Sequence, residues 1–194
     1  LMNSLFGAIG NKWYRYFDLR VAEGITLTGQ HVIKMCEESI NTEMNKLLKT
    51  ENKDYVIAID TDSIYVNFSS FVKKFNPKDP VKFLDEACNN HFNKILASTL
   101  EKLCKEMNCF ENRMVMEREV IADRGIWTAK KRYILNVHNS EGVQYEEPKL
   151  KIMGIEAIKS STPEVCRSKF KDIFKIIISG SEKDTQNFIK RFKE

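Results

Sequence analysis

The segment Val56-Ile57-Ala58-Ile59-Asp60-Thr61-Asp62-Ser63-Ile64-Tyr65-Val66 decides how this chain is read. It sets two acidic residues between two runs that favour β-strand. The first run is apolar and β-branched. The second alternates Ile64, Val66 and Phe68 with Tyr65 and Asn67, the pattern of a half-buried strand. Asp60-Thr61-Asp62 then falls at a hairpin tip or a strand end, where carboxylates leave the sheet. Two carboxylates about 4 Å apart repel by about 4 kcal/mol at an effective dielectric near roughly 20. A shared cation removes that cost, and hard oxygen ligands suit Mg²⁺ or Mn²⁺. The competing reading is an ordinary turn, because Asp and Ser bond their own backbone in turns.

Three enzyme classes use an Asp-x-Asp after an apolar strand. Dehalogenase-like phosphatases need Thr or Val two residues beyond the second Asp, where Ile64 stands here, and a loop toward a helix rather than a second strand. Nucleotide-sugar transferases hold Mn²⁺ with such a pair, but after a long α/β nucleotide-binding region. The residues before Asp60 are few and read as helical. Template-directed polymerases carry the pair in a β-hairpin, which fits the strand–Asp-Thr-Asp–strand layout.

Two further segments bear on the choice: Asn3-Ser4-Leu5-Phe6-Gly7, and Trp127-Thr128-Ala129-Lys130-Lys131-Arg132-Tyr133. With Asp60-Thr61-Asp62-Ser63 they resemble, in order and spacing, three signatures of family B DNA polymerases. These are the Asn-Ser-Leu-Tyr-Gly end of the fingers helix, the Asp-Thr-Asp-Ser hairpin of the palm and the Lys-Lys-Arg-Tyr strand. Glu147-Pro148-Lys149-Leu150-Lys151-Ile152-Met153-Gly154, continued by Lys159-Ser160-Ser161-Thr162-Pro163, is similar to the T-even phage branch. The resemblance covers Leu1 to about Pro163. It implies an α+β palm, with a mainly antiparallel sheet that carries the Asp-Thr-Asp hairpin and packs on helices. Residues 1–24 would end the fingers helix and enter the palm, 25–162 form the palm, and 163–194 start a helical thumb.

The same resemblance implies site roles. Asp62 is the principal metal ligand and Asp60 a supporting carboxylate, for two Mg²⁺ ions with Mn²⁺ as a substitute. Glu119, with Glu117, matches acidic positions beside the metal cleft. A solvated strand face, or a salt bridge to Arg118 or Arg132, is the alternative for those two acids. Lys131 approaches the primer end and Tyr133 the primer backbone, while Lys130, Arg132, Lys159 and Ser160 supply phosphate contacts. Asn3, Phe6 and Gly7 line the pocket of the nascent base pair. Phe6 stands where the family has Tyr, so a hydroxyl contact to the minor groove is missing. The implied partners are primer–template DNA, deoxynucleoside triphosphates, the remaining exonuclease, fingers and thumb regions, and a sliding clamp. An upstream Asp-x-x-Ser-Leu-Tyr-Pro-like motif, which supplies the first metal-binding Asp of the family, does not occur in the sequence. The expectation is therefore a segment of a longer DNA-directed DNA polymerase that is inactive alone. The alternatives are a non-catalytic DNA-binding palm module and, less favoured, the transferase.

Composition agrees. The 194 residues suffice for one substantial core or a core with an appendage. Net charge is only +4, so the local basic runs matter more than the total. Five cysteines lack zinc-ligand spacing, and Cys36, Cys88 and Cys104 read as reduced core thiols. Without a signal peptide, membrane span or lipidation motif, a cytoplasmic setting is expected, in a host cell if phage-encoded.

The periodicity predicts a helix over 28–48, a second beginning at Asp79-Pro80 and a third beginning near Thr162-Pro163. Strands are expected at 55–59, 64–68, 114–122, 127–137 and 150–153. In that frame Glu117 and Glu119 share one strand face, while Lys131 and Tyr133 share another. Trp13-Tyr14-Arg15-Tyr16-Phe17 is read as core packing rather than a base-stacking platform.

Overall fold

The computed structural model describes residues 2–193, with side chains for residues 4–192. Its elements are mixed helix and antiparallel strand, as an α+β chain requires. They group into two compact units, Leu1–Lys78 with Ala87–Glu117, and Asp79–Glu86 with Arg118–Glu194. The division at residues 24/25 falls inside one continuous helix, and residues on both sides of 162/163 belong to the second unit.

In the first unit, α1 (Met2–Ile9) precedes the long α2 (Leu19–Leu48). Asp18 caps α2 by accepting from the Arg20 amide at 2.9 Å, and Lys49 ends it in a left-handed conformation. The helix thus starts at Leu19 rather than Thr28. Gly24 and Gly29 weaken its helical signal, and Leu19, Val21, Ile25 and Leu27 remain exposed instead of marking one buried face. Farther along, Ile33, Cys36, Ile40 and Met44 form a buried stripe at three- and four-residue spacing.

The opposing helix is α5 (Asn93–Glu106), which buries Leu96, Leu100, Leu103 and Cys104 and meets α2 through Thr99, whose hydroxyl donates to Ser39 Oγ at 2.8 Å. A π-helical turn, Cys88–Phe92, precedes α5. Phe92 packs edge-on against Phe68 and Phe71, the latter on α3 (Ser69–Phe75). Cys36, Cys88 and Cys104 are buried free thiols, and burial pushes the Cys36 thiol pKa up. Strands β1 (Val56–Asp60) and β2 (Ser63–Val66) form a two-stranded antiparallel sheet beside α2.

The second unit holds α4 (Pro80–Ala87) up to Glu86, and a three-stranded antiparallel meander of β3 (Val120–Ala129), β4 (Arg132–Ser140) and β5 (Val143–Met153). Asp79 caps α4 as expected, accepting from the amides of Val81 and Lys82. Two helices follow, α6 (Glu164–Ser179) and α7 (Glu182–Lys193). Arg124 on β3 ties the sheet to α6 by donating to the Ile178 carbonyl at 2.6 Å. The central strand β4 buries Tyr133, Ile134, Leu135, Val137 and Asn139.

Two strand expectations are corrected. Residues 114–119 lie outside any strand, because β3 begins only at Val120; Glu117 and Glu119 therefore do not share a strand face. The run 127–137 is not one strand either. It is the end of β3, a two-residue turn at Lys130-Lys131, and the start of β4, with Trp127 paired to Tyr133 and Ala129 to Arg132. Alternating periodicity runs unchanged through such a turn when no Gly, Asn or Asp marks it. The next turn carries its signal openly, with Glu141 and Gly142 both at positive φ (50° and 84°), as a tight hairpin needs.

Candidate active site

The β1–β2 hairpin brings Asp60, Thr61 and Asp62 together. Asp60 is the last residue of β1 and pairs with Ser63, so Thr61 and Asp62 alone form the tip. The Asp62 amide donates back to the Asp60 carbonyl at 2.7 Å, closing an unusually tight turn. Thr61 takes φ 58°, a left-handed conformation that a β-branched residue adopts only under constraint. Its hydroxyl donates to Asp60 Oδ1 at 3.0 Å, and the Ser63 hydroxyl donates to the Asp60 carbonyl at 3.1 Å. The Asp60 carboxylate is thereby oriented and half-buried. That of Asp62 is exposed and has no polar partner among the described residues. This donor set fits part of a hard-cation site, in which two carboxylates and a backbone carbonyl offer only oxygen. Among the described residues no group of three or more His, Cys, Asp or Glu converges into a metal cage.

The second cluster is cationic. Lys130 and Lys131 form the β3–β4 turn with both side chains exposed, and Lys131 takes φ 62°. The expected sharing of a face by Lys131 and Tyr133 does not hold, since Lys131 sits at the tip while Tyr133 is buried against Trp127. Arg132 and Lys159 converge on one carboxylate. Arg132 donates to Glu156 Oε1 at 3.3 Å and Lys159 to the same oxygen at 2.9 Å. The Lys159 hydrogen bond, supported by a backbone amide and the Arg132 charge, holds the Glu156 carboxyl below the usual glutamate range. Ser160 is exposed in the same loop, whose Thr162 hydroxyl donates to the Glu156 carbonyl. Glu119 lies just before β3, where its carboxylate is 3.6 Å from Lys151 Nζ.

At the N-terminus Phe6 and Gly7 lie on α1. Phe6 is exposed, and a side chain at Gly7 would meet nothing within 4 Å. The Asn3 side chain lies outside the described residues. The aromatic run does not form core within its unit: Trp13 is 84% and Tyr16 66% exposed, with Lys12 stacked over Trp13.

Four residues that contact these clusters or the strand leading to them were given no role by the sequence reading. Asn41 and Asn45 hydrogen-bond the segment entering β1, Gly154 packs beneath the Lys130-Lys131 turn, and Glu156 joins Arg132 to Lys159. The Asn pair at four-residue spacing on a helix just before the key strand was the one available hint.

The family model of DNA polymerase family B matches residues 1–194. The chain is 39% identical over 196 residues to the DNA-directed DNA polymerase of Escherichia phage RB69, covering 94% of this chain and 22% of that protein. It is 36% identical over 208 residues to the DNA-directed DNA polymerase of Enterobacteria phage T4, covering 100% of this chain and 23% of the phage protein. A more distant match is the DNA polymerase beta of African swine fever virus, 26% identical over 183 residues, or 86% of this chain and 14% of the viral one. The chain thus spans under a quarter of the length of its phage relatives. It belongs to DNA polymerase family B and is T4-like within that family.

Proposed function

We propose that this chain is the palm-bearing part of a DNA-directed DNA polymerase that extends a primer along a template during replication. The observation that carries the reading is the strained turn presenting Asp60 and Asp62, within a chain that matches one polymerase family throughout. Residues 1–24 would finish the fingers helix, 25–162 form the palm and 163–194 begin the thumb. Exonuclease, remaining fingers and thumb regions would complete the enzyme, with a sliding clamp as further partner.

Asp62 and Asp60 would hold Mg²⁺, with Mn²⁺ as substitute. Two such ions, when bound, lower the charge on the attacking and leaving oxygens of an in-line displacement. The chain's own contributions are distinct from that. The Thr61 hydroxyl and the β1 terminus orient Asp60, while Asp62 remains open to an incoming cation. Lys130, Lys131, Arg132, Lys159 and Ser160 would engage primer phosphates, which supplies affinity without reading sequence. A copying enzyme requires that indifference. Asn3, Phe6 and Gly7 would border the nascent base pair, and Glu119 would sit near the metal region.

Residues 1–194 contain no Asp-x-x-Ser-Leu-Tyr-Pro-like motif, so we infer that they do not extend primers unaided. The test is primer extension by the intact polymerase carrying this segment, with and without Asp62→Ala. Extension by the parent and its loss in the variant is the expected result. Salt-sensitive DNA binding with no extension by the parent would instead favour the non-catalytic module.

A further inference from the structure

Resting on the reading above, we infer that Asn41 is a positioning residue for the Asp60–Asp62 turn. Its side chain sets where β1 starts, and so where both carboxylates arrive.

Among the described residues, the sheet that carries the turn has two strands, with β2 on one edge of β1 and no strand on the other. Side chains of α2 substitute at its entry. Asn41 Oδ1 accepts from the Tyr55 amide at 2.8 Å and the Val56 amide at 3.2 Å. Asn41 Nδ2 donates to Asp54 Oδ1 at 2.8 Å, and that oxygen also accepts from the Val56 amide at 3.0 Å. One helical turn on, the Asn45 side-chain amide imitates a neighbouring strand. Its Nδ2 donates to the Lys53 carbonyl at 2.8 Å and its Oδ1 accepts from the Lys53 amide at 3.0 Å. The Asn67 amide closes the hairpin base by donating to the Tyr55 carbonyl at 2.7 Å.

The consequence follows from strand geometry. From Val56 to Asp60 the strand rises about 13 Å as one pleated unit. A one-residue slip in a strand turns every side chain to the opposite face. The ladder register shifts between Val56 and Ala58, so an irregularity separates the start of β1 from the turn on the β2 side. Asn41 adds a second hold on that start, from the helix side. The role needs an acceptor and a donor on one short side chain: Ala has neither, and Asp cannot donate toward Asp54.

The experiment uses the intact polymerase with N41A, N41D and the exchange N41D/D54N. Folded fraction is measured by circular dichroism. Per folded molecule one measures kcat, KM for primer–template and the Mg²⁺ concentration giving half-maximal rate. N41A and N41D should lower kcat roughly ten- to hundredfold. Both should raise the half-saturating Mg²⁺ concentration and leave KM for primer–template unchanged. N41D/D54N should restore kcat and the Mg²⁺ requirement, because donor and acceptor between positions 41 and 54 are exchanged rather than lost. Unaltered kcat and Mg²⁺ requirement in folded N41A would overturn the inference. So would an exchange no better than N41D alone, which decides the matter if N41A fails to fold. Failure of the underlying functional reading shows separately, as primer extension that survives Asp62→Ala.

Discussion

Gly154 lies directly beneath Lys131: a Cβ at position 154 would stand 2.0 Å from the Lys131 carbonyl oxygen and 3.1 Å from its carbonyl carbon. Gly154 also takes φ +67°, in the region that disfavours side chains. The Lys130-Lys131 turn and the end of β5 therefore approach as closely as they do only because position 154 has no side chain.

Gly154→Ala should destabilise the chain by about 1–3 kcal/mol through backbone strain, and displace the lysine turn as the neighbouring backbone gives way. Urea unfolding monitored by circular dichroism measures the first effect. Altered amide shifts at Lys130–Arg132 in NMR spectra report the second. Wild-type stability with unchanged shifts would contradict this account of the close approach.

A second prediction concerns the interior of the same unit. The Arg118 side chain is 8% exposed, with its guanidinium paired to Asp85 and donating to Asn139 Oδ1 at 2.6 Å. Asn139 is itself 3% exposed and also donates to Gln144. Removing Asp85 strands a cation away from water. Asp85→Ala should therefore cost about 2–4 kcal/mol in a denaturant titration, far more than loss of an exposed pair. The cost should depend less on added salt than that of an exposed pair, since the Arg118 partner is buried.

These two relationships also show where the sequence was legible and where it was not. The Asp-Thr-Asp hairpin, the Asp79 start of α4 and the helix start near Pro163 were readable, because each is a local preference of a few adjacent residues. The Lys130-Lys131 turn was not, since lysine carries no turn preference and the Gly154 that lies against it is distant in sequence. The expected strand over 114–119 rested on an apolar run, and among the described residues no strand pairs with it. Asn41 acts across fourteen residues of sequence, which no local pattern encodes. The acidic pair was legible from its own neighbourhood; the groups that hold it in place were not.

Protonation of Glu156 gives a third prediction. The Lys159 hydrogen bond, with the Arg132 charge, depresses its pKa in the folded chain. A depressed carboxyl contributes stability that is present above its unfolded-state pKa and lost as pH falls through the folded value. The link between Arg132 and Lys159 should thus be intact at neutral pH and open only under acid conditions, below the usual glutamate range. Following the Glu156 carboxyl carbon by NMR during an acid titration checks the direction. Lys159→Ala should move the midpoint back up toward an ordinary glutamate, and an unmoved midpoint would exclude Lys159 as the main cause.

The two turn aspartates should separate stability from activity in opposite orders. Asp62 is exposed with no polar partner among the described residues, so Asp62→Asn should alter the stability of this chain by no more than about 0.5 kcal/mol. Asp60 accepts from Thr61 in a strained turn, so Asp60→Ala should cost more, about 1 kcal/mol. In the intact polymerase the ranking reverses if Asp62 is the principal metal ligand. Asp62→Asn should then lower kcat roughly a thousandfold or more, equivalent to about 4 kcal/mol of transition-state stabilisation, with Asp60→Asn the milder of the two. Paired denaturation and single-turnover extension measurements on the same variants decide it. A stable Asp62→Asn enzyme with near-normal kcat would remove Asp62 from the metal site and with it the chemical role proposed for the turn.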